Sequence, residues 1–364
     1  MRFRRVASIG LAAIAGLALA ACGSSGKSTT SAHTSTATTS TSNTATSGTS
    51  SPKPSGTITL YNGQHEQTTA LLVAAFEKQT GVKVKVRSDG EDVLGSQIVQ
   101  EGANSPADVF YTENTPVLEH LQQQSLLAPL PASTLAAVPS QYSSPQKDWI
   151  GASARASALV YNTKLISPAA LPSSMLALAG PQWKDKLGIS PGETDFQPLV
   201  SAVTKLDGSA KATAWLRGLK ANSKIYPDNE ALVAQVNNGQ SAVGLINHYY
   251  WYRLRDEVGT AKIHSALHYF APNDPGNLLN VAGAAVLKTS ANPTAAQAFV
   301  EFLVSKAGQD VIASSESYEY PLGSGVLTKK PLRPFDQLHP APVSLTDLGD
   351  GSAPLQLEQQ LGLL

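Results

Sequence analysis

The sequence predicts an α/β fold with a mainly parallel sheet. Strand-like segments alternate with helical ones through the chain, about 310 residues follow the N-terminal region, and no repeat of fixed period occurs. Alternating strands and helices are typical of parallel sheets covered by helices. A chain of this length exceeds what one hydrophobic core usually serves, so we expect two lobes.

Hydrophobic patterning places the elements in order. The first strand is apolar and buried, and the first helix carries Leu71, Leu72, Ala75 and Phe76 on one face until Gly81 stops it. Strands are predicted at 57–61, 82–86, 107–111, 158–161, 187–190, 242–246, 268–271 and 283–287. Helices are predicted at 66–79, 92–101, 211–221 and 294–305.

Charge and cysteine content exclude some classes of function. The chain has 27 basic and 27 acidic side chains, and the first 21 residues hold three of the bases and no acid. The remainder therefore has 24 bases against 27 acids, a formal charge of −3, which argues against nucleic acid as a partner. With one cysteine, Cys22, the chain can form neither an internal disulfide nor a cysteine-rich metal cluster.

The N-terminus has the features of an export signal. Basic residues precede an apolar stretch at 6–21 that is shorter than the roughly 20 residues of a membrane span. The junction Leu-Ala-Ala-Cys-Gly at 19–23 resembles a bacterial lipobox, so residues 1–21 are predicted to be a lipoprotein signal peptide and Cys22 the lipidated residue. A thiol buried in a core is the alternative. Arg4 and Arg5 leave Sec and twin-arginine export both open.

A flexible tether follows the signal. Of the 32 residues at 24–55, 21 are Ser or Thr, and almost none is apolar and large. Such a segment cannot bury enough surface to fold. We therefore predict a disordered tether at 22–56 with a root-mean-square reach of roughly 30 Å.

Candidate ligand-binding residues follow the predicted strands. Ligands of open parallel sheets sit beyond the carboxyl ends of the strands. Polar side chains lie in that position at 62–65, 112–114 and 247–250. These three segments are predicted to line the site.

Common catalytic motifs are absent from the sequence. It has no Gly-x-Ser-x-Gly elbow, no phosphate loop and no Gly-x-Gly-x-x-Gly fingerprint. His65 and Glu66 begin like a zinc-protease helix, but Thr69 stands where the second histidine would be. His264 and His268 could chelate a metal if helical, although the alternating run around His268 favours a strand.

The segment Ile-Asn-His-Tyr-Tyr-Trp-Tyr at 246–252 places two adjacent tyrosines at a strand-to-helix turn. An aromatic plug between lobes is one interpretation. Ligation of ferric iron is the other, because this hard cation prefers oxygen donors and stabilises phenolates that otherwise form only near pH 10.

With these tyrosines the sequence resembles bacterial ferric-ion-binding proteins, the periplasmic receptors of iron ABC transporters in the type II solute-binding superfamily. The segments that carry the resemblance are Tyr-Asn-Gly-Gln-His at 61–65, Pro-Ala-Asp-Val-Phe-Tyr-Thr-Glu at 106–113, Lys-Asp-Trp-Ile at 147–150, Leu-Ile-Asn-His-Tyr-Tyr-Trp-Tyr at 245–252 and Ala-Gly-Ala-Ala-Val-Leu-Lys at 282–288. They span nearly the whole folded length and are specific together.

The resemblance implies a two-lobe type II periplasmic binding protein with crossing hinge strands. Lobe 1 would comprise 57–157 and 281–330, and lobe 2 would comprise 158–280 and 331–364. It also implies that Fe3+ is held by His65, Glu113, Tyr249 and Tyr250. The glutamate and two phenolates would then offer three negative charges to a trivalent ion.

Family members often add an exogenous anion such as phosphate. In these relatives a Ser-Gly-Ala-type run at the start of a helix and two asparagines hold the anion. This sequence has the asparagines, Asn229 and Asn247, but the run after Pro191 is Gly-Glu-Thr-Asp-Phe at 192–196. Two carboxylates beside an anion pocket repel phosphate, so we expect Glu193 or Asp195 to supply the oxygen, or water to fill the position, near Thr194. The alternative is that both carboxylates point to solvent and cap a helix.

His248 is a second departure, because relatives tend to have asparagine there. It could be a hydrogen-bond donor behind the ligands or a pH-sensitive element. The alternative is a histidine that packs at the start of a helix.

The expected function is an extracytoplasmic, lipid-anchored, monomeric receptor that delivers Fe3+ to an ABC transporter permease and has no enzymatic activity. The same fold could instead carry a chelated ferric complex, a phosphonate or another small solute. A metal-dependent hydrolase or oxygenase using His65 and Glu113 is a further alternative; it would need an open coordination position and a positioned base.

Overall fold

The computed structural model describes residues 53–364, which form one compact unit. The predicted signal peptide, Cys22 and the tether up to residue 52 lie outside the described residues. Within residues 53–364, no helix combines the length and the apolar character needed to cross a bilayer.

Ten strands and eleven α-helices make up the described chain. The strands are β1 Thr57–Gly63, β2 Lys83–Ser88, β3 Val109–Thr112, β4 Trp149–Asn162, β5 Leu187–Ile189, β6 Ser223–Ile225, β7 Val243–Asn247, β8 Ser265–His268, β9 Leu279–Val286 and β10 Tyr320–Pro321. The helices are α1 Glu66–Thr80, α2 Glu91–Glu101, α3 Pro116–Gln123, α4 Ala132–Leu135, α5 Gln197–Asp207, α6 Ser209–Asn222, α7 Asn229–Asn237, α8 His248–Val258, α9 Pro293–Val304, α10 Lys306–Ser314 and α11 Ser352–Gln360.

Two sheets share strand β4. The first sheet has the order β2-β1-β3-β9-β4, with β10 also paired to β4; β1 is parallel to β2 and β3, and β9 is antiparallel to β3 and β4. The second has the order β4-β7-β5-β6, with β8 paired to β4; β5, β6 and β7 are parallel to one another. The chain is thus a mixed α/β structure of two sheets.

The shared strand connects the two halves of the molecule. Residues 149–156 of β4 pair with β9, and residues 157–162 pair with β7 and β8. All 14 residues of the strand are buried, as expected of a strand covered on both faces. This is the crossing strand of a two-lobe fold, as the sequence predicted. The lobe boundaries at residues 157/158, 280/281 and 330/331 stay a prediction.

Most predicted elements agree with the structure within a few residues. Helix α1 ends before Gly81, which adopts φ 80° and donates its N–H to the carbonyl of Glu77. A positive φ of this kind is what glycine provides at a helix end. The glycine signal therefore located this boundary correctly.

Two strand predictions were wrong in their bounds. The strand predicted at 268–271 lies at Ser265–His268, because Asn277 takes the hydrogen bonds of Phe270: its Oδ1 accepts from the Phe270 N–H at 2.9 Å and its Nδ2 donates to the Phe270 carbonyl at 3.1 Å. The strand predicted at 158–161 begins at Trp149. Its first half is rich in small residues with weak strand propensity, and pairing with β9 and β10 makes it a strand.

Candidate metal site between the two sheets

The predicted ligands follow strands of both sheets. His65 precedes α1 directly after β1, and Glu113 follows β3, so both belong to the first sheet. Tyr249 and Tyr250 lie in the first turn of α8, after β7 of the second sheet, and Asp195 lies between β5 and α5. The carboxyl ends of these parallel strands thus meet between the sheets, where the strand-end rule predicts ligands.

His65 is held between two carboxylates. Its Nε2 lies 3.2 Å from Oε1 of Glu113, and its Nδ1 lies 3.1 Å from Oε1 of Glu319. Burial lowers the pKa of His65, but the charges of Glu113 and Glu319 outweigh this and raise the pKa above its usual 6.5. Burial also raises the pKa of Glu113 to about 7. Both shifts favour the protonated forms, so a cation that bound these groups would compete with protons.

The two tyrosine rings are packed together and buried. Their centroids lie 4.0 Å apart, and the ring of His65 meets that of Tyr249 edge-on at 4.8 Å. Burial, followed by the charges of Asp195 and Glu113, raises the pKa of Tyr249 and of Tyr250 well above 10. Their place at the N-terminal end of α8 favours negative charge, since helix N-termini carry a partial positive charge.

Asp195 reaches both phenol groups. Its Oδ2 lies 3.4 Å from the hydroxyl of Tyr249 and 3.3 Å from that of Tyr250. An octahedral ion with bonds of about 2.1 Å has neighbouring ligand atoms about 3 Å apart. The spacing of these oxygens, like the 3.2 Å between His65 and Glu113, is compatible with ligand atoms that share one ion.

Carboxylate and imidazole groups alone do not make this site. Among residues 53–364, no group of three or more His, Cys, Asp and Glu side chains is arranged to hold a metal ion. The hydroxyls of Tyr249 and Tyr250 add two oxygen atoms beside the carboxylate of Asp195. Oxygen donors of this type suit a hard, highly charged cation.

The predicted anion region contains carboxylates in different settings. Asp195 is 5% exposed and bonded within the site, whereas Glu193 is half-buried, and burial with nearby acids raises its pKa to about 8. Neither caps α5: Phe196 occupies the N-cap position, and no side chain makes a capping hydrogen bond there. Thr194 accepts a hydrogen bond from Nδ2 of Asn114 at 3.3 Å.

Asn247 and Asn229 line a small cavity beside Asp195. The cavity has room for about one water molecule, and Ser157 completes its polar wall. Oδ1 of Asn247 accepts from Ser157 and from Asn280, while its buried Nδ2 has no protein partner among the described residues. The space fits a water and is too small for a phosphate.

His248 packs at the start of α8. It is fully buried, its Nδ1 accepts the N–H of Ala156 at 3.1 Å, and its Nε2 donates to the carbonyl of Tyr318 at 2.8 Å. Burial lowers the pKa of His248 to about 4. Burial therefore keeps the ring neutral, and the main-chain contacts fix the entry of α8 into the site.

His264 and His268 do not lie on a helix, so they do not have the spacing that the metal-chelating interpretation requires. His264 precedes β8 and His268 ends it, so neither is helical. Nε2 of His268 lies 2.9 Å from the carbonyl of Pro172. The strand interpretation of this run is correct at His268.

Three charged residues of the site escaped the sequence analysis. Arg155 lies on β4, Glu91 begins α2, and Glu319 precedes β10; all three are buried. Arg155 could have been noticed as a charge inside an otherwise small and apolar segment. Nothing local distinguishes Glu91 or Glu319, because chain neighbours do not reveal what they contact.

Comparison with known proteins identifies the family. The model of the bacterial extracellular solute-binding protein family matches residues 62–310. The chain belongs to this family. The solute-binding protein is 39% identical over 307 residues to the Fe(3+)-binding periplasmic protein of Serratia marcescens, which covers 84% of this chain and 90% of that relative.

Solved structures agree with the two-lobe fold of the solute-binding protein. Iron-bound HitA from Pseudomonas aeruginosa is 45% identical, with a TM-score of 0.81 over 84% of this chain and 99% of that one. A Trichodesmium protein, IdiA or FutA in complex with iron and citrate ligands, is 30% identical, with a TM-score of 0.73 over 84% and 99%.

Proposed function

We propose that this protein is an extracytoplasmic receptor that binds Fe3+ and delivers it to an ABC transporter permease. The ferric ion is its cargo. His65 and Glu113 bind it from the first sheet, and Tyr249 and Tyr250 bind it from the second. Similarity to ferric-binding relatives over more than four fifths of the chain supports this function.

The observation that carries the proposal is the convergence of two tyrosine hydroxyls and one carboxylate oxygen. Oδ2 of Asp195 lies within 3.4 Å of both hydroxyls, and all three side chains are at least 95% buried. Such a set suits an ion that can displace phenol protons, as Fe3+ does. We therefore assign Asp195, rather than Glu193, as the protein's replacement for an exogenous anion, with water near Asn247.

Charge balance fits a trivalent ion. Glu113, Asp195 and two phenolates provide four negative charges; Fe3+ neutralises three of them, and the Arg155 guanidinium, 3.3 Å from Asp195, faces the fourth. A divalent ion would leave one of these charges uncompensated in a buried site, where unpaired charge is costly. This difference favours ferric over divalent cargo.

Closure follows from the origin of the ligands. Because the ligands come from both sheets, the ion can contact all of them only in the closed conformation, in which the two sheets approach each other. Iron binding therefore shifts the equilibrium between open and closed conformations towards the closed one. The closed form is what the permease recognises. The protein acts as a monomer, held to the membrane by lipid on Cys22, and performs no catalytic turnover.

A visible spectrum tests the proposal. The purified protein loaded with ferric iron should show a phenolate-to-iron absorption band, with one iron per chain by metal analysis. The Tyr249→Phe, Tyr250→Phe double variant should lose both, while Tyr226→Phe, which removes a hydroxyl bonded to Ser241, should keep them. A colourless wild-type protein without bound iron would refute ferric binding.

A chelated ferric complex is the second candidate, because the Trichodesmium relative is in complex with iron and citrate. A cleft of about 260 Å³ adjoins the site, with Glu91, Asp92, Asp350 and His120 among its lining residues. Its acidic lining disfavours a tricarboxylate. Loading with ferric citrate should therefore leave iron without citrate in the protein; stoichiometric citrate by mass spectrometry would favour the second candidate.

A further inference from the structure

Arg155 has a place in the fold that no other cation shares. It lies on β4, the strand common to both sheets, and is the one lysine or arginine among the described residues that is fully buried. Its Nη2 donates to Oδ1 of Asn114 at 2.7 Å and lies 3.3 Å from Oδ1 of Asp195. Nη1 lies 3.9 Å from Oε1 of Glu319.

Asn114 connects the two sheets directly. It follows β3 of the first sheet, where its N–H and its Nδ2 each donate to the carboxylate of Glu91 at 2.8 Å. From there Nδ2 also reaches Thr194 Oγ1 at 3.3 Å and Asp195 Oδ1 at 3.4 Å, both of the second sheet. Because Glu91 and Arg155 hold the amide of Asn114, its Nδ2 donates in a fixed direction, towards the loop that follows β5.

The two oxygens of Asp195 have separate partners. Oδ1 faces the protein donors of Arg155 and Asn114, whereas Oδ2 faces the hydroxyls of Tyr249 and Tyr250. A carboxylate free to rotate would present either or both oxygens to a cation. Here one oxygen is occupied, so one remains for the ion.

We propose that Arg155 and Asn114 are positioning residues that turn Asp195 into a one-oxygen ligand of the ferric ion. They hold Oδ1, which fixes the direction of Oδ2, and the Asn114 contact forms only when the two sheets' edges have come together. This inference rests on the proposed function and adds to it: the ligand that replaces an exogenous anion is itself assembled by closure.

The guanidinium suits this task better than an ammonium. It is planar and always charged, and its donors can serve Asn114 and Asp195 at once in a fixed geometry. Lysine at this position would keep the charge but could not hold both acceptors in the same way. Mutation of a residue that orients a metal ligand typically lowers metal affinity 10–100-fold.

A double-mutant cycle tests the coupling. Arg155→Lys and Asn114→Ala should each speed iron transfer to a competing chelator by roughly 10–100-fold. Each should also shift the visible band in the same direction as Asp195→Asn, because all three disturb the same ligand. In the Asp195→Asn background, neither further substitution should add to the loss. Arg333→Met, which removes an arginine that lies over Tyr269, is the matched control and should behave as wild type.

Additive losses in the cycle, or a wild-type band in both Arg155→Lys and Asn114→Ala, would overturn the inference. If Arg155→Lys fails to fold, the cycle is measured with Asn114→Ala, alone and combined with Asp195→Asn. This pair of variants shows whether Asn114 acts through Asp195. Thermal unfolding of the metal-free variants separates lost stability from lost positioning. Failure of the proposed function is distinguishable, because then the wild-type protein itself binds no iron.

Discussion

The carboxylate of Glu319 lies 3.1 Å from Nδ1 of His65, although 254 residues separate the two in the chain. Glu319 also accepts from Ser153 of the shared strand. Metal-binding histidines commonly donate their second ring nitrogen to a carboxylate, which fixes the tautomer and the ring direction. This contact directs Nε2 of His65 towards the site.

Replacing this carboxylate should weaken iron binding without removing a ligand. We expect Glu319→Gln to lower affinity for Fe3+ roughly 10–100-fold, because the amide holds the imidazole less firmly and makes it less basic. Competition with a ferric chelator measures the change. Glu316→Gln, three residues away and exposed, serves as the control. Equal affinities in wild type and Glu319→Gln would contradict the role of this contact.

Iron binding should release more protons in mild acid than in mild base. At pH 8 the two phenols release their protons, whereas Glu113, whose pKa is raised to about 7, is mostly ionised and releases few. At pH 6 the release should be larger by close to one proton per ion, because Glu113 then holds a proton in the metal-free protein.

The sign of the pH effect follows from this proton count. The metal-free protein holds protons that the loaded protein cannot, so falling pH favours the metal-free form and weakens iron binding. Titration in weak buffer with a ferric donor of known proton content measures the release. An equal release at pH 6 and pH 8 would show that Glu113 does not exchange a proton for iron.

Phosphate should not strengthen iron binding in the wild-type protein. In the proposed site Asp195 takes the position of an anion, and the adjoining cavity has room for about one water. In Asp195→Ala the affinity should fall by more than about tenfold and then rise with added phosphate. Glu193→Ala, which removes the half-buried carboxylate, should stay independent of phosphate. Phosphate-dependent affinity in wild type that Asn247→Ala abolishes would contradict the assignment of Asp195.

Glu358 should make stability depend on pH far from the metal site. It lies on α11, is fully buried, and neither carboxylate oxygen has a hydrogen-bond partner among the described residues. Burial raises the pKa of Glu358 to about 8. The folded protein therefore favours the protonated form, and stability is lost as pH rises from about 4.5 to about 8.

The Glu358→Gln variant removes this titration. We expect it to match wild type near pH 4 and to be more stable by a few kcal/mol, on the order of 1.4 per pKa unit, at pH 8. Denaturant unfolding of the metal-free protein at both pH values measures the difference. A difference of the same size at both values would show that Glu358 does not ionise in this range.

Much of the fold could be predicted from local patterns. The Gly81 stop, the buried β1 and the period of α1 are properties of neighbouring residues, so the sequence predicted them correctly. Most of strand β4 was missed, because residues such as Ala152 and Ser153 become a strand through pairing with other segments. Bonds from the Asn277 side chain ended β8 early for the same reason.

For the candidate site, the sequence by itself determined which polar residues follow the strands, and its resemblance to a known family predicted the ligands: His65, Glu113 and the tyrosine pair lie in motifs that are contiguous in the chain. Tertiary structure decided which carboxylate faces the tyrosines, Asp195 rather than Glu193, and which charges hold the ligands, Arg155 and Glu319. A sequence motif contains only residues that are neighbours in the chain. The energy of a buried charge depends on partners that the fold brings near, and these lie up to 254 residues away along the chain.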